Sequence, residues 1–432
     1  MFIFGFKFHQ TQSIKIIEHT LTQAKQQLTA ILLITLLGFI GLAIPYPILA
    51  PMLLKNEAFS LHTHATRMIW YGALLAAYPI GQFLGSAILG DLSDHWGRRK
   101  ILILSLLLTT IGYAISAIAV YQHYLGLFLF ARLFTGLAEG NVAICRAAAA
   151  DLSPKISKYT SFGLINAAGT CGFIIGPILA GVFSDKTIYL GFSYATPFFI
   201  ALLLSLFTLI ATYFFFTETF NPIKNKAHQA FSLFSLLITA MNNIIFTVRL
   251  QHIKWLLFSA LLLMFSVDLT YQFAPLFLTA HWQMTSLAIA KTLFVLWVSI
   301  IIGEVWLVPL LAKRFNKYKL IFNSTIALSI FLILMIITTY LALLYAALFL
   351  LGLFIALSTT LATILISDAV NPHIQGRILG TFSSLRVLGD AIGAITGGLC
   401  AIFYPEAPLW LAVSMLIISL ILLLVTKNKR KL

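Results

Sequence analysis

The chain has 432 residues, of which 60% are hydrophobic and only 9% charged. Soluble domains carry about 25% charged residues, so a soluble globular protein is excluded and a lipid-embedded one is indicated. The formal net charge of +15 does not point to a nucleic-acid partner, because the basic residues stand in short loops between apolar runs, as topology determinants do.

In chain order, Met1 to Phe8 is apolar but short, with no basic residue ahead of it and no small-residue cleavage site, which argues against a secretory signal. Residues 9–28 are polar and complete a cytoplasmic N-terminal arm, 1–28. A span needs roughly 20 apolar residues. Twelve runs qualify, at 29–52, 67–89, 101–121, 124–150, 158–183, 190–216, 254–280, 286–312, 319–337, 340–367, 375–403 and 407–426. Residues 230–248 resemble a thirteenth, but Ser232, Ser235, Thr239, Asn242 and Thr247 recur near helical spacing and form one polar face. That suits a helix lying in the membrane interface, within a central loop at 218–253. The expected fold is therefore all-α and integral to the membrane. Twelve transmembrane helices form two pseudo-symmetric six-helix bundles, 29–217 and 254–426, followed by a basic tail at 427–432.

Placing the N-terminus inside puts twenty-one Lys and Arg residues in cytoplasmic segments and four outside, a strong orientation signal. Both termini are then expected on the cytoplasmic side of a cell membrane, most simply a bacterial inner membrane. Cys145, Cys171 and Cys400 lie in apolar segments without a CxxC pair, so neither a disulfide framework nor a zinc site is expected. The two halves share a pattern. At an offset of 217 residues Asp151 matches Asp368, Gly163 matches Gly380, and Gly172, Gly176 and Gly181 match Gly389, Gly393 and Gly398. Such an internal repeat is a transporter feature, with substrate bound between the halves near the midplane.

The loop after the second helix reads Gly90-Asp91-Leu92-Ser93-Asp94-His95-Trp96-Gly97-Arg98-Arg99-Lys100. Its glycines permit a sharp turn, and its arginines supply charge for a carboxylate. It resembles the loop signature of the major facilitator superfamily. The resemblance implies a charge network of Asp94 and Arg98 with Asp151, supported by Gly90, Gly97 and Arg99, that locks the halves in the outward-facing state. A degenerate copy, Lys313-Arg314-Phe315-Asn316-Lys317, lacks the acidic residue. The fifth helix carries Gly163, Gly172, Gly176, Pro177 and Gly181, similar to the antiporter motif of the drug:proton branch, with alanine at position 180 for one glycine. Small residues on one face allow backbone-to-backbone helix packing, and proline adds a bend. Arg132, Gly136 and Gly140 in the fourth helix, and Pro45, Pro47 and Pro51 in the first, also resemble twelve-helix multidrug and tetracycline exporters. One departure stands out: residues 29–52 contain no acidic residue, where many such exporters have one.

Ionisable side chains within spans are costly and mark function by default. Arg132, Glu139 and Arg146 are spaced by seven and are expected to form one stripe facing the cavity. Asp390 has Arg386 one turn away, an expected ion pair, whereas Asp268 and Glu304 have no helix-neighbour cation. Asp268 is the first choice as proton carrier, because Tyr271 and Gln272 follow it closely enough to hydrogen-bond either protonation state. The structural alternative is an Asp268 permanently paired with a cation such as Arg132 across the cavity. Glu304, Glu139 and Arg132 complete the proton-coupling candidates. Tyr46, Asn141, Arg146, Tyr271 and Gln272 are expected around the substrate, with the Ser358-Thr359-Thr360 run a weaker candidate. The phenylalanines do not by themselves define an aromatic substrate site.

These residues contain no nucleotide loop, metal-ligand cluster or catalytic triad, so no cofactor or metal is expected and an ion gradient is the expected energy source. The leading reading is a monomeric exporter of small organic or drug-like molecules in exchange for protons. An importer of a sugar, organic acid or siderophore shares the fold. A membrane-embedded enzyme or a transporter-like receptor are remoter alternatives.

Overall fold

The computed structural model describes residues 2–429 except 57, 59–62, 154, 221–241, 243, 244, 248, 251 and 252. Among the described residues, twelve helices are long and apolar enough to cross a membrane. They are α1 (Leu21–Lys55), α2 (His64–Trp96), α3 (Arg98–Tyr121), α4 (Leu125–Asp151), α5 (Thr160–Phe183) and α6 (Thr196–Phe215) in the first half. The second half holds α7 (Lys254–His281), α8 (Ser286–Arg314), α9 (Lys317–Ile337), α10 (Leu341–Asp368), α11 (Ile374–Cys400) and α12 (Ala407–Thr426). The interfacial helix expected at 230–248 lies for the most part outside the described residues.

The N-terminal arm and first span are not separate. One helix runs from Phe2 to Ala43. Ala24, Gln27 and Leu28 are buried, and the Gln27 amide donates to the Thr217 carbonyl at 3.1 Å. The packed first half therefore begins earlier than residue 29. The proline cluster interrupts α1 at Ile44, after which helix resumes at Pro45. Proline there lacks only an amide that the first turn could not satisfy, so the break is tolerated.

Small residues set how closely the helices approach. α2 and α4 cross with Gly81, Gly85, Gly136 and Gly140 against each other's backbone. A Cβ at Gly172 or Gly176 would lie within 3 Å of α1, meeting the Leu36 or Ile40 carbonyl. The matching Gly389 and Gly393 of α11 face Phe265 and Leu269 of α7, but at ordinary contact distance. So α5 lies on α1 as α11 lies on α7. The duplication read from the sequence is a duplication of helix neighbours, and one copy is packed more tightly.

The halves meet at one face of the membrane. Gly72 and Gly398 touch through their backbones, and Gly181 abuts Ser286 and Ala290. Lys55 donates to the Gln283 carbonyl at 2.8 Å, and the Tyr71 hydroxyl donates to the Gln272 carbonyl at 2.7 Å. Toward the opposite face a Cβ added at Gly90, Gly163, Gly376 or Gly380 would meet nothing within 4 Å. The molecule is closed at the Gly72 face and open toward the face that carries Gly97.

Candidate transport cavity and its charge clusters

A cavity of about 430 Å³ lies between the halves, within the range of roughly 300–1,000 Å³ usual for ligand pockets. Tyr46, Gln82 and Arg146 line it from the first half, and Asp268, Tyr271, Arg386 and Asp390 from the second. Aromatic rings join its two sides. Phe39 of α1 packs on Phe173 of α5 at 5.1 Å between centroids, and Phe173 stacks on Trp297 of α8 at 4.5 Å. Trp297 meets Tyr271 of α7 at 4.7 Å. Phenylalanines therefore do help to build the site, which composition alone could not locate. A second cavity of about 590 Å³ lies at the closed face, lined by the helix-terminal Lys55 and by loop residues such as Asp185 and Tyr194. It holds none of the intramembrane charges.

The charges in the central cavity are paired differently from the helix-neighbour expectation. Arg386 donates through Nη2 to Asp268 Oδ1 at 3.2 Å, across α11 and α7, rather than to Asp390 one turn away. Asp390 instead accepts from the Gln272 side-chain amide. The reason is geometric: side chains one turn apart on α11 share a face, and that face looks onto α7, which offers each a partner. Gln272 therefore serves Asp390 and not Asp268. The second oxygen of Asp268, Oδ2, is buried without a hydrogen-bond partner among the described residues, as is Oε1 of Gln272. Arg146 is exposed to the cavity and has no hydrogen bond or ion pair among the described residues.

The expected stripe of Arg132, Glu139 and Arg146 is broken. A 3₁₀ turn at Glu139–Asn141 divides α4 into Leu125–Ala138 and Val142–Asp151, which changes the phase of the helix. Only Arg146 reaches the cavity. Arg132 and Glu139 are enclosed within the first half. The Tyr113 hydroxyl donates to Glu139 Oε1 at 2.5 Å, and the Tyr78 hydroxyl donates to Oε2. Arg132 donates to the Gly41 carbonyl at 2.9 Å and lies 4.5 Å over the Tyr78 ring. Glycines in α1 make room for this nest. A Cβ at Gly41 would overlap the Tyr113 hydroxyl, and one at Gly38 would come within 3.1 Å of Glu139 Oε2. The acidic residue absent from α1 thus has a counterpart: a carboxylate of α4 pressed against α1.

Two other cavity candidates are placed elsewhere. Asn141 points into the first half, donating to Ser105 Oγ at 3.1 Å. Ser358 donates to Ser324 and Thr359 to the Ile355 carbonyl, so that run serves helix packing. Glu304 lies in a π-helical turn at Gly303–Leu307, is exposed, and is not among the residues lining the central cavity. The extra residue arises where Gly303 is held against the Leu353 carbonyl and Ala356 of α10.

At the open face, Arg98 gathers the loop motif. Its Nη1 lies 2.5 Å from Asp94 Oδ1 and its Nε 3.5 Å from Asp151 Oδ2. Gly97 has φ +94°, a conformation that disfavours side chains, and a Cβ there would strike Glu218. Nothing in the loop motif itself points to Glu218. Its carboxylate accepts the backbone amides of Arg98 at 2.8 Å and Arg99 at 3.1 Å, capping α3 from beyond α6. All these residues belong to the first half except Glu218, which opens the central loop. In the second half Lys317 pairs with Asp368 at 2.7 Å, so the degenerate loop finds its acid at the repeat partner of Asp151.

Twelve spanning helices in two bundles around a charged central cavity define a membrane transporter. The chain belongs to the Major Facilitator Superfamily, whose sequence model matches residues 31–394 and 307–432. Over 191 residues it is 35% identical to the class H tetracycline resistance protein of Pasteurella multocida, covering 44% of each chain. That is less than half of this relative's length. Multidrug resistance protein 2 of Bacillus subtilis is 24% identical over 398 residues, covering 91% of this chain and 93% of the relative. Among solved structures, a D-xylose-proton symporter superposes with a TM-score of 0.74 at 14% identity, over 92% of this chain and 96% of the other. That likeness bears on the fold.

Proposed function

We propose that the protein exports small, amphipathic organic molecules from the cell in exchange for protons, by alternating exposure of the central cavity. The observation that carries this reading is the Asp268–Arg386 pair on the cavity wall, with the second carboxylate oxygen buried and without a donor among the described residues. A proton on Asp268 weakens its hold on Arg386, and a substrate entering the cavity meets the same two side chains. Proton and substrate can therefore compete for one site, the requirement for exchange. The excess of Lys and Arg on the Gly97 face supports a cytoplasmic position for that face, and in this reading the cavity stands open to its export substrate. The tetracycline and multidrug resistance relatives support export over uptake.

Arg98, Asp94 and Asp151, with Gly90, Gly97 and Arg99 shaping the turn, act as the cytoplasmic gate in this reading. Gly172, Gly176, Pro177 and Gly181 form the surface on which α5 moves against its neighbours. The test is flux into inverted membrane vesicles under an imposed pH gradient, with a panel of lipophilic compounds. Substrate accumulation should dissipate with the gradient, and binding should release protons in the wild type. Asp268→Asn should keep binding and lose the proton release; unchanged proton-coupled flux in that variant removes Asp268 from the role.

A further inference from the structure

Gln272 of α7 is bound from two sides. Its backbone carbonyl accepts the Tyr71 hydroxyl of α2 at 2.7 Å, a bond between the halves with both residues buried. Its side-chain amide donates to the Asp390 carbonyl of α11 at 3.1 Å and to Asp390 Oδ1, and Asp390 lines the central cavity. The place of Gln272 in α7 explains why its backbone takes part. Pro275 lies three residues on; it has no amide to give the Tyr271 carbonyl, and its ring crowds that carbonyl, which loosens this turn of the helix. A carbonyl has two lone pairs, so Gln272 can serve its own helix and Tyr71 together. Packing holds the donor in place. The Tyr71 ring lies 5.4 Å from that of Phe273, a Cβ at Gly397 would strike the Phe273 ring, and Gly72 meets Ala394 and Gly398. Other hydrogen bonds that join the halves at this face, from Lys55 to Gln283 and Met284 and between His64 and Ala401, are at least partly exposed.

We propose that Tyr71 and Gln272 are positioning residues that tie closure of the Gly72 face to the state of the cavity. The Tyr71 hydroxyl latches α2 onto α7. Asp390, by holding the Gln272 amide, keeps the Gln272 carbonyl under that hydroxyl. Parting the halves at this face separates α2 from α7 and α11, so the latch must break as the face opens. A substrate donor that takes Asp390 withdraws the acceptor from Gln272, leaves the proline turn without that restraint, and weakens the latch. Loading the cavity from one face thereby loosens the other. The tie rests on the alternating exposure proposed above and not on proton exchange, because it does not run through the Asp268–Arg386 pair.

The test uses the full-length protein in detergent, where both faces meet the reagent, with the three native cysteines replaced by alanine. Ser286 is buried where α8 meets Gly181, and Ser286→Cys makes that junction a reporter of opening. Maleimide labelling there should be slow. Tyr71→Phe, which keeps the ring and removes the hydroxyl, should speed it roughly two- to tenfold, the range set by one neutral hydrogen bond. Asp390→Ala should speed it similarly, and Asp390→Asn, which keeps an acceptor, should speed it less. In Tyr71→Phe combined with Asp390→Ala the two effects should not multiply, because both undo one tie. Ser259→Ala, which frees α7 from Ser419 within the second half, should leave labelling unchanged and so separates gating from lost stability. Unchanged labelling in Tyr71→Phe, labelling in no variant, or an equal rise in Ser259→Ala overturns the latch. Effects that multiply in the double variant, or an Asp390→Ala protein that labels like its parent, overturn the tie to the cavity. Labelling as expected without pH-driven flux in vesicles removes proton exchange and leaves the tie standing. Proton-driven flux with labelling indifferent to Tyr71 does the reverse.

Discussion

In the first half, Glu139 receives two tyrosine hydroxyls, and Arg132 lies over one of the same rings while donating to the backbone of α1. Both side chains are enclosed, with Glu139 2% and Arg132 1% exposed. In the second half, Asp268 has one oxygen on Arg386 and the other buried without a donor among the described residues, and the Arg386 side chain is 45% exposed at the cavity wall. The two clusters contain the same chemistry, a carboxylate and a guanidinium in lipid. What differs is how completely the surroundings satisfy them. A nearly complete network rigidifies its neighbours, and here it fixes α1 through Gly38 and Gly41. An incomplete one retains capacity for a proton or a ligand. Burial alone therefore does not separate a structural charge from a working one.

The sharpest way to break that comparison is to delete one carboxylate from each half. Glu139→Ala strands Arg132 and two tyrosine hydroxyls, and removing one member of a buried charged network typically costs about 3–5 kcal/mol. We expect a large fall in the detergent unfolding midpoint and poor recovery of folded protein. Asp268→Asn keeps the shape and an acceptor for Arg386, so its midpoint should stay near wild type. A stable Glu139→Ala protein that has lost proton coupling would exchange the roles of the two halves.

A smaller effect is expected where the halves repeat the same glycine in different packing. At Gly176 a methyl group would lie 2.8 Å from the Ile40 carbonyl and 2.9 Å from the Ala43 methyl, so α1 must shift. Overpacking of this kind costs about 1–3 kcal/mol. At Gly393 the nearest atom would be Phe265 at 3.5 Å, an ordinary contact. Gly176→Ala should lower the unfolding midpoint and Gly393→Ala should not. Equal loss in both would mean that the tightness of α5 on α1 has no energetic weight.

The twelve spans, the repeat and the loop motif were legible because each depends on composition or spacing along one segment. What was hidden depends on other helices. Seven-residue spacing placed Glu139 beside the cavity, but the 3₁₀ turn at Glu139–Asn141 rotated it inward. Nothing in the sequence around α4 announces that turn apart from Gly140, which packs against Gly85 and Ser86. The Asp268–Arg386 pair joins residues 118 apart, and nearest-neighbour logic gave Arg386 to Asp390 instead. Glu218 caps α3 from 120 residues away. The missing acid of α1 could have prompted a search for a carboxylate on an adjacent helix, the one signal available.

The weakest contrast lies at the open face, where the halves carry unequal versions of one ion pair. The Arg98 side chain is 9% exposed and serves Asp94, Asp151 and Ser93 together. It also lies 4.9 Å from the Phe220 ring centroid. Lys317 and Asp368 form a single pair, 41% and 54% exposed. Exposed pairs are worth about 0–1 kcal/mol because water screens them and two long side chains lose freedom. Hydrogen bonds to charged groups in sheltered sites are worth about 1.5–3 kcal/mol. Arg98→Gln should therefore destabilise the protein by about 1–2 kcal/mol, since glutamine retains some of these bonds, and Lys317→Gln by less than about 0.5 kcal/mol. Denaturant unfolding in one detergent measures both, and cysteine labelling of Gly163→Cys and Gly380→Cys backgrounds reports the opening of the same face. If Arg98 anchors a gate, its variant should change labelling at both positions while the lysine variant leaves them alone. Equal responses would make the two loops equivalent and the richer network of the first half irrelevant to gating.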